Sequence, residues 1–426
     1  MRALPRSLIL LLSGRCNLSC AYCYQTHDQG RGSMSWETAR KAFERVRSFE
    51  PGKITVEFTG GEPLLEAVTL CRTVEAIEAS TAPGTKVECT VTTNGTLLTD
   101  GLLAFLFDHD FTIRISFDGV PATQRQRGEG TFHTLDRLLD RLGKEYPSDF
   151  AKRVKILVTV LAATIPKLAE SVRYLMGKGV QAIEMGPRFT WDPNWCPSCR
   201  EELERQVDEV LRLSLEHWRN SGAVPVGFLA GAPLLDAEAP VGEFLCGAPA
   251  ATALCVDPEG RAWGCPLFAS SLQSLTPLAL EASRVLDLGP ISAPSFSRRL
   301  EALQGRAGKL RLFTHRLAKR SSYGACGDCR FVADCQVCPA SISHNPHNHD
   351  PDLIPEFICA FRFLTLAARE RFDEMTGGEV SAAWYREVKV ALGRLEAAVK
   401  NSLASSERER SLRPARGRRR AAQGDP

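Results

Sequence analysis

Six short apolar runs, each followed by an amphipathic stretch, constrain this chain more than any other feature. The runs are Leu8–Leu12, Ile54–Thr59, Val87–Thr92, Thr112–Phe117, Val154–Leu161 and Ala182–Met185. Between them lie Glu37–Ser48, Leu64–Ala79, Leu97–Phe107, Leu135–Leu142 and Lys167–Met176, where apolar residues recur at helical spacing. Strand–helix alternation of this kind calls for a parallel sheet with right-handed crossovers. Its strands are apolar on both sides because helices cover both faces. Six such units make an α/β fold, either an open sheet or a partial (β/α)6 barrel of the TIM type. Sites in such barrels lie at the C-terminal ends of the strands.

The rest of the chain reads differently. A helix over Arg200–Arg219 closes the alternating part, residues 1–220, and the Gly-, Ala- and Pro-rich stretch 221–242 reads as a linker. Residues 243–375 are cysteine-rich and loop-rich, with a helical pattern returning at Phe361–Phe372. A C-terminal helix is expected within 376–404, at Ala382–Leu403. The Arg-rich tail 405–426 reads as disordered and solvated. It holds seven Arg against two Glu and one Asp, a balance of +4. The whole chain carries +3, so the body before the tail carries −1, which argues against a nucleic-acid partner. No apolar run approaches the ~20 residues that cross a bilayer. The Leu8–Leu12 run is also shorter than the ~7–15 residues of a signal-peptide core. The expectation is a cytoplasmic protein with no membrane partner.

The chain has 15 cysteines, an odd number in a sequence too long to need disulfide staples, so metal binding is the better reading. Cys16-Asn-Leu-Ser-Cys20-Ala-Tyr-Cys23 directly follows the first run. Three thiolates within this loop can converge on one metal centre. Zinc normally takes four Cys or His ligands, with His27 a candidate fourth. An iron–sulfur cluster also takes thiolates, and with three of them one iron stays free for an external ligand.

The C-x3-C-x2-C spacing, with Tyr22 before its last cysteine, resembles the radical S-adenosylmethionine (SAM) enzymes. The likeness extends through the next strand ends: Gly60-Gly61-Glu62-Pro63, Thr93-Asn94-Gly95 and Ser116-Phe117-Asp118-Gly119. The resemblance implies that Cys16, Cys20 and Cys23 hold a [4Fe–4S] cluster whose open iron is chelated by SAM. Gly60, Gly61, Glu62, Pro63, Asn94, Ser116 and Asp118 would line the SAM site. Arg127, or Arg125, would pair with the SAM carboxylate. A 5′-deoxyadenosyl radical then abstracts hydrogen from an unactivated C–H.

A second run comprises Cys246, Cys265, Cys326, Cys329, Cys335, Cys338 and Cys359. Paired CxxC units alone read as a zinc ribbon. Joined to a radical SAM core, the run resembles the SPASM extension, which carries two auxiliary [4Fe–4S] clusters. Two residues rather than the usual three separate Cys335 from Cys338. The resemblance assigns Cys326, Cys329, Cys335 and Cys359 to one cluster and Cys246, Cys265 and Cys338 to the other. Cys255 is a candidate fourth ligand there, with a small core residue on a hairpin strand the alternative. Of the remaining cysteines, Cys71 and Cys89 read as buried small residues. Cys196 and Cys199 form a CxxC of open role. His344, His347 and His349 read as a solvated polar loop, with lining of a substrate channel the alternative.

SPASM-bearing relatives mostly modify peptides or proteins, so the resemblance implies oxidoreductase-type crosslinking or dehydrogenation of a peptide or protein. The catalytic residue on the substrate side is unknown. Implied partners are a low-potential electron donor such as flavodoxin or ferredoxin and, since the motif begins at Cys16, either a separate leader-binding protein or recognition of the peptide by the body itself. Sulfatase maturation is the alternative. There the maturases carry an Asp after the cysteine corresponding to Cys265, where this chain has Pro266. A small-molecule radical SAM dehydrogenase and a non-catalytic iron–sulfur scaffold complete the alternatives.

Overall fold

In a computed structural model, residues 5–25, 32–49, 52–81, 85–231, 234, 242–269 and 276–382 are described. His27, the tail 405–426 and all of the expected helix Ala382–Leu403 beyond its first residue lie outside them, as does part of the linker. Six parallel strands form where the apolar runs predict them: β1 (Ser7–Leu11), β2 (Lys53–Thr59), β3 (Lys86–Thr93), β4 (Thr112–Ser116), β5 (Val154–Val160) and β6 (Ile183–Pro187). Each pairs with the next in sequence, for example Leu8 with Val56 and Ile115 with Ile156. One face of the central strands is buried, with Leu8, Leu10, Ile54, Val56 and Phe58 fully excluded from solvent. The alternate residues, among them Thr55, Glu57 and Arg114, are only half-buried, so the strands are not covered on both faces as the sequence reading expects.

The intervening helices start at sequence-encoded caps. Ser35 accepts from the backbone of Thr38 to open Trp36–Arg47, and Thr99 accepts from Leu102 to open Asp100–Asp108. Pro197 opens the longest helix among the described residues, Pro197–Ser221, which closes on Gly222 in the left-handed conformation.

The sheet does not stop at six strands, as the sequence reading expected. Three more follow β1 on its other side, giving the order β6-β5-β4-β3-β2-β1-β7-β8-β9. Strand β7 (Ala253–Val256) lies parallel to β1, with Ile9 opposite Cys255. It turns back through a hairpin into β8 (Arg261–Trp263), and β9 (Asp287–Pro290) pairs antiparallel to β8. The turn is closed by Asp257, whose carboxylate accepts from Arg261 N and from Trp263 Nε1. The chain after the Gly- and Pro-rich stretch therefore returns to the first strand. The hairpin is expected from its turn, but strands of four residues and fewer carry too little periodicity to show that they join the main sheet. Among the described residues, those within 5–230 and 234–372 form one compact unit, and Gly231 with 373–382 belongs to a second.

His344 also departs from its reading as part of a solvated loop. It is 2% exposed, its Nε2 lies 3.0 Å from the Leu267 carbonyl, and its ring stacks on Phe268. His347 meets Trp191 edge to face at 4.6 Å. No helix among the described residues is long and apolar enough to cross a membrane.

Candidate active site

The loop after β1 is held down by the two glycines that end β2. Gly61 N donates to Ser13 O and Glu62 N donates to Arg15 O, both at 2.8 Å. A Cβ on Gly60 would sit 2.5 Å from Ser13 O, and one on Gly61 would sit 2.1 Å from Arg15 O. Gly60 also has φ of +140°, which side-chain-bearing residues avoid. Only glycines let the cysteine loop lie this close to the second strand.

Glu62 is fully buried. One carboxylate oxygen accepts from Leu64 N (3.0 Å) and Thr93 Oγ1 (2.7 Å), the other from Asn94 N (2.7 Å). Burial pushes its carboxyl above the ordinary range while these donors pull the other way. Glu62 thus ties β2 to the end of β3. Asn94 in turn donates from its amide to Asn17 Oδ1 at 2.8 Å, next to Cys16.

Asp118 is the corresponding tie on the other side of the loop. It accepts from the Tyr22 hydroxyl (2.6 Å), from Arg127 Nε and an Arg127 terminal nitrogen (2.9 and 2.8 Å), and from Thr159 N (2.9 Å). Asp118 is 3% and Arg127 7% exposed. Burial works against the Arg127 charge, but Asp118 and the Tyr22 oxygen more than offset it, and its pKa is raised. The ring of Tyr22 lies 5.3 Å from the guanidinium. Tyr22, between Cys20 and Cys23, is thereby fixed to the ends of β4 and β5.

These ties surround a cleft of about 460 Å3 at the C-terminal ends of β2 to β6. Cys16, Cys20 and Cys23 line it, with Gly60, Gly61, Asn94, Ser116 and Arg127. Glu62, Pro63 and Asp118 stand outside this lining; both carboxylates are occupied by partners within the protein. Thr159 on β5, and Glu184, Met185 and Arg188 at and after β6, also line the cleft; the sequence reading did not single these out. Their only signal is position, at or just beyond the ends of the fifth and sixth strands. Arg188 and Thr190 also line a second cavity of about 570 Å3, walled by Trp191, Trp195, His347 and Phe357.

The other cysteines fall into groups that act on each other electrostatically. Burial raises the Cys265 thiol most, followed by Cys338 and, more weakly, Cys246. Cys246 is pushed up to about 11, chiefly by burial and then by Cys338. Burial raises Cys326 to about 12, with Cys335, Cys359 and Cys329 adding to it. Burial raises Cys335 to about 11, with Cys359 and Cys329 adding to it and the Arg362 and Arg316 charges opposing. Cys20 is likewise raised to about 11, by burial and then by Cys23 and Cys16. Cys255 feels Cys265 alone among these thiols and packs into an apolar cluster with Leu11, Trp263 and Ala269. Among the described residues no three Cys, His, Asp or Glu side chains are placed to hold a single metal ion.

Part of this chain matches known proteins. Residues 10–175 match the family model described as the radical SAM superfamily. This chain carries a radical SAM domain. The serine-type anaerobic sulfatase-maturating enzyme of Klebsiella aerogenes is 27% identical to it over 214 residues, 48% of this chain and 51% of that enzyme. The match thus spans about half the length of this curated relative. Among solved structures, native anSMEcpe with bound AdoMet aligns over 89% of this chain and 100% of its own, with a TM-score of 0.64 and 18% identity. Streptococcus suis SuiB bound to precursor peptide SuiA aligns over 84% and 76%, with a TM-score of 0.53 and 13% identity. At these identities the likeness establishes the fold, and it extends beyond the radical SAM domain into the cysteine-rich half.

Proposed function

We propose that this protein is a radical SAM enzyme with a SPASM-type extension that oxidises or crosslinks a peptide or protein. The observation that carries this reading is the cleft at the strand ends, lined by three thiols and sharing Arg188 and Thr190 with the Trp191–His347 cavity. Cys16, Cys20 and Cys23 would hold the SAM-binding [4Fe–4S] cluster. Cys326, Cys329, Cys335 and Cys359 would hold one auxiliary cluster, and Cys246, Cys265 and Cys338 the other. Thiols that share a field without caging one ion suit donors to different irons of one cluster. The apolar packing of Cys255 favours a core role for it.

When bound, the cluster and SAM supply reductive C–S cleavage and a carbon radical able to take hydrogen from an unactivated C–H. The protein's own residues place and shield the reacting groups. Gly60 and Gly61 let the cysteine loop close on β2, and Asn94 and Ser116 present polar atoms to the cleft. Asp118 holds Arg127 at its wall, where the guanidinium can face an anionic group of the cofactor. Arg188 and Thr190 join the cofactor cleft to the aromatic cavity, which is suited to a peptide side chain. SuiB bound to SuiA and anSMEcpe with bound AdoMet and Cp18Cys peptide, both similar in fold, support a peptide substrate. Sulfatase maturation has less support, because Pro266, which opens a short 3-10 turn after Cys265, has no group that could take a proton.

Anaerobic reconstitution tests the reading. About twelve irons per chain are expected for three cubanes, and about four would remove the auxiliary clusters. Reduced protein with SAM should release 5′-deoxyadenosine, and Cys16→Ala, Cys20→Ala or Cys23→Ala should abolish it. Unchanged release in those variants would overturn the ligand assignment.

A further inference from the structure

The helix Pro197–Ser221 begins at a pair of cysteines that the cofactor-binding reading leaves unused. Cys196 is its N-cap residue and Cys199 lies in its first turn, with Cys199 N donating to Cys196 O at 3.0 Å. Both are free thiols, and their sulfurs are 2.7 Å apart, closer than non-bonded sulfurs rest. Ser198 Oγ lies 3.3 Å from the Cys196 sulfur, and the Asn194 carbonyl oxygen lies 3.5 Å from the Cys199 sulfur. No cysteine of the three grouped sets acts on either; the outside charge that does is Asp192, on Cys199. Both side chains are partly open to solvent. The pair follows directly on Trp195, which lines the 570 Å3 cavity.

From this geometry we infer that Cys196 and Cys199 form a reversible dithiol–disulfide couple that exchanges with low-molecular-weight disulfides. Cys196 is the attacking sulfur. The exposed end of a 25-residue helix favours an anion there, and hydrogen bonds from Cys199 and Ser198 lower its pKa. Burial and the neighbouring Cys196 raise the Cys199 thiol, which suits the second, resolving position. The Cys196 thiolate attacks a disulfide R–S–S–R, forming a mixed disulfide and releasing one thiolate. Cys199, after losing its proton to solvent, then attacks the Cys196 sulfur and releases the second thiol. Two electrons pass from the pair to the external disulfide, and a reducing thiol reverses both steps. This inference does not rest on the radical chemistry proposed above.

The test uses the full-length protein under nitrogen, with oxidised glutathione as the disulfide and differential alkylation read by mass spectrometry of the 196–199 peptide. In the wild type both alkylation sites should disappear together and return together with dithiothreitol. Cys199→Ser should trap glutathione on Cys196, whereas Cys196→Ser should trap little on Cys199. Cys196 should also be alkylated at least tenfold faster than Cys199 at neutral pH. Independent loss of the two sites, equal trapping in both variants, or protection of both by bound metal in the untreated protein would each overturn the inference. Unchanged 5′-deoxyadenosine release in both variants would show that any failure here is separate from the radical chemistry.

Discussion

Replacing Asp118 by Asn tests whether the buried tie behind the cysteine loop is structural. Asp118 and Arg127 are both nearly excluded from water, and the carboxylate accepts four hydrogen bonds from three neighbours. An Asn could keep the oxygen facing Thr159 N, but its amide NH2 would point at Arg127 Nε–H, donor against donor. The guanidinium would remain buried without its counter-charge, which costs about 3–5 kcal/mol. Removing both groups, as Asp118→Asn with Arg127→Met, should recover most of that loss, because an apolar replacement of a buried pair is close to neutral. A chain of this size need not unfold in two states, so the readout should be local. Hydrogen exchange of the 18–25 and 157–161 segments suits this, since Ala21 N donates to Gln126 O and Thr159 N to Asp118 itself. Exchange should quicken about a hundred- to a few thousand-fold in Asp118→Asn and return to within about tenfold of wild type in the double variant. SAM-dependent activity should stay low in the double variant if Arg127 also faces the cofactor. Additive effects of the two substitutions, or exchange unchanged in Asp118→Asn, would refute the reasoning.

Two further outcomes follow from the same geometry. Gly61→Ala places a methyl 2.1 Å from Arg15 O, a backbone atom that cannot swing aside, so the Gly61–Ser13 and Glu62–Arg15 hydrogen bonds should break. A loss of local stability of about 1–3 kcal/mol is expected, with weakened iron incorporation at the first site; unchanged iron content would contradict it. His344 is held by burial at a pKa of about 4, below its unfolded value of about 6.5. Its neutral form therefore stabilises the fold fully above pH 6.5, and about 3 kcal/mol is lost progressively as pH falls from there through 4. Denaturation of the 276–372 region at pH 7 and pH 4.5 should show this slope in wild type and not in His344→Phe.

The linear order of the chain determined more than a fold class. Each of β1 to β6 lies within about two residues of its apolar run, because one face of each strand is buried and needs an apolar residue at every second position. The positions of the cysteine loop, Gly60–Gly61 and Asn94 around one cleft were legible too, since they follow strand ends that the alternation locates. The nine-stranded sheet was not legible. The turn at Asp257–Gly260 marks a hairpin, but strands of three or four residues such as Ala253–Val256 and Arg261–Trp263 show no period that would say what they pair with. They are held by β1 and by the Asp257–Trp263 hydrogen bond across the turn. Tertiary structure alone also decided which polar groups face the cleft. Glu62 and Asp118 stand at positions where a sequence suggests cofactor contact, yet both carboxylates are consumed by donors from distant strands. Arg188 and Thr190 enter the site, and His344 is buried, through neighbours far away in sequence. A buried charge or donor has its role set by what surrounds it in space, and no local spacing along the chain carries that information.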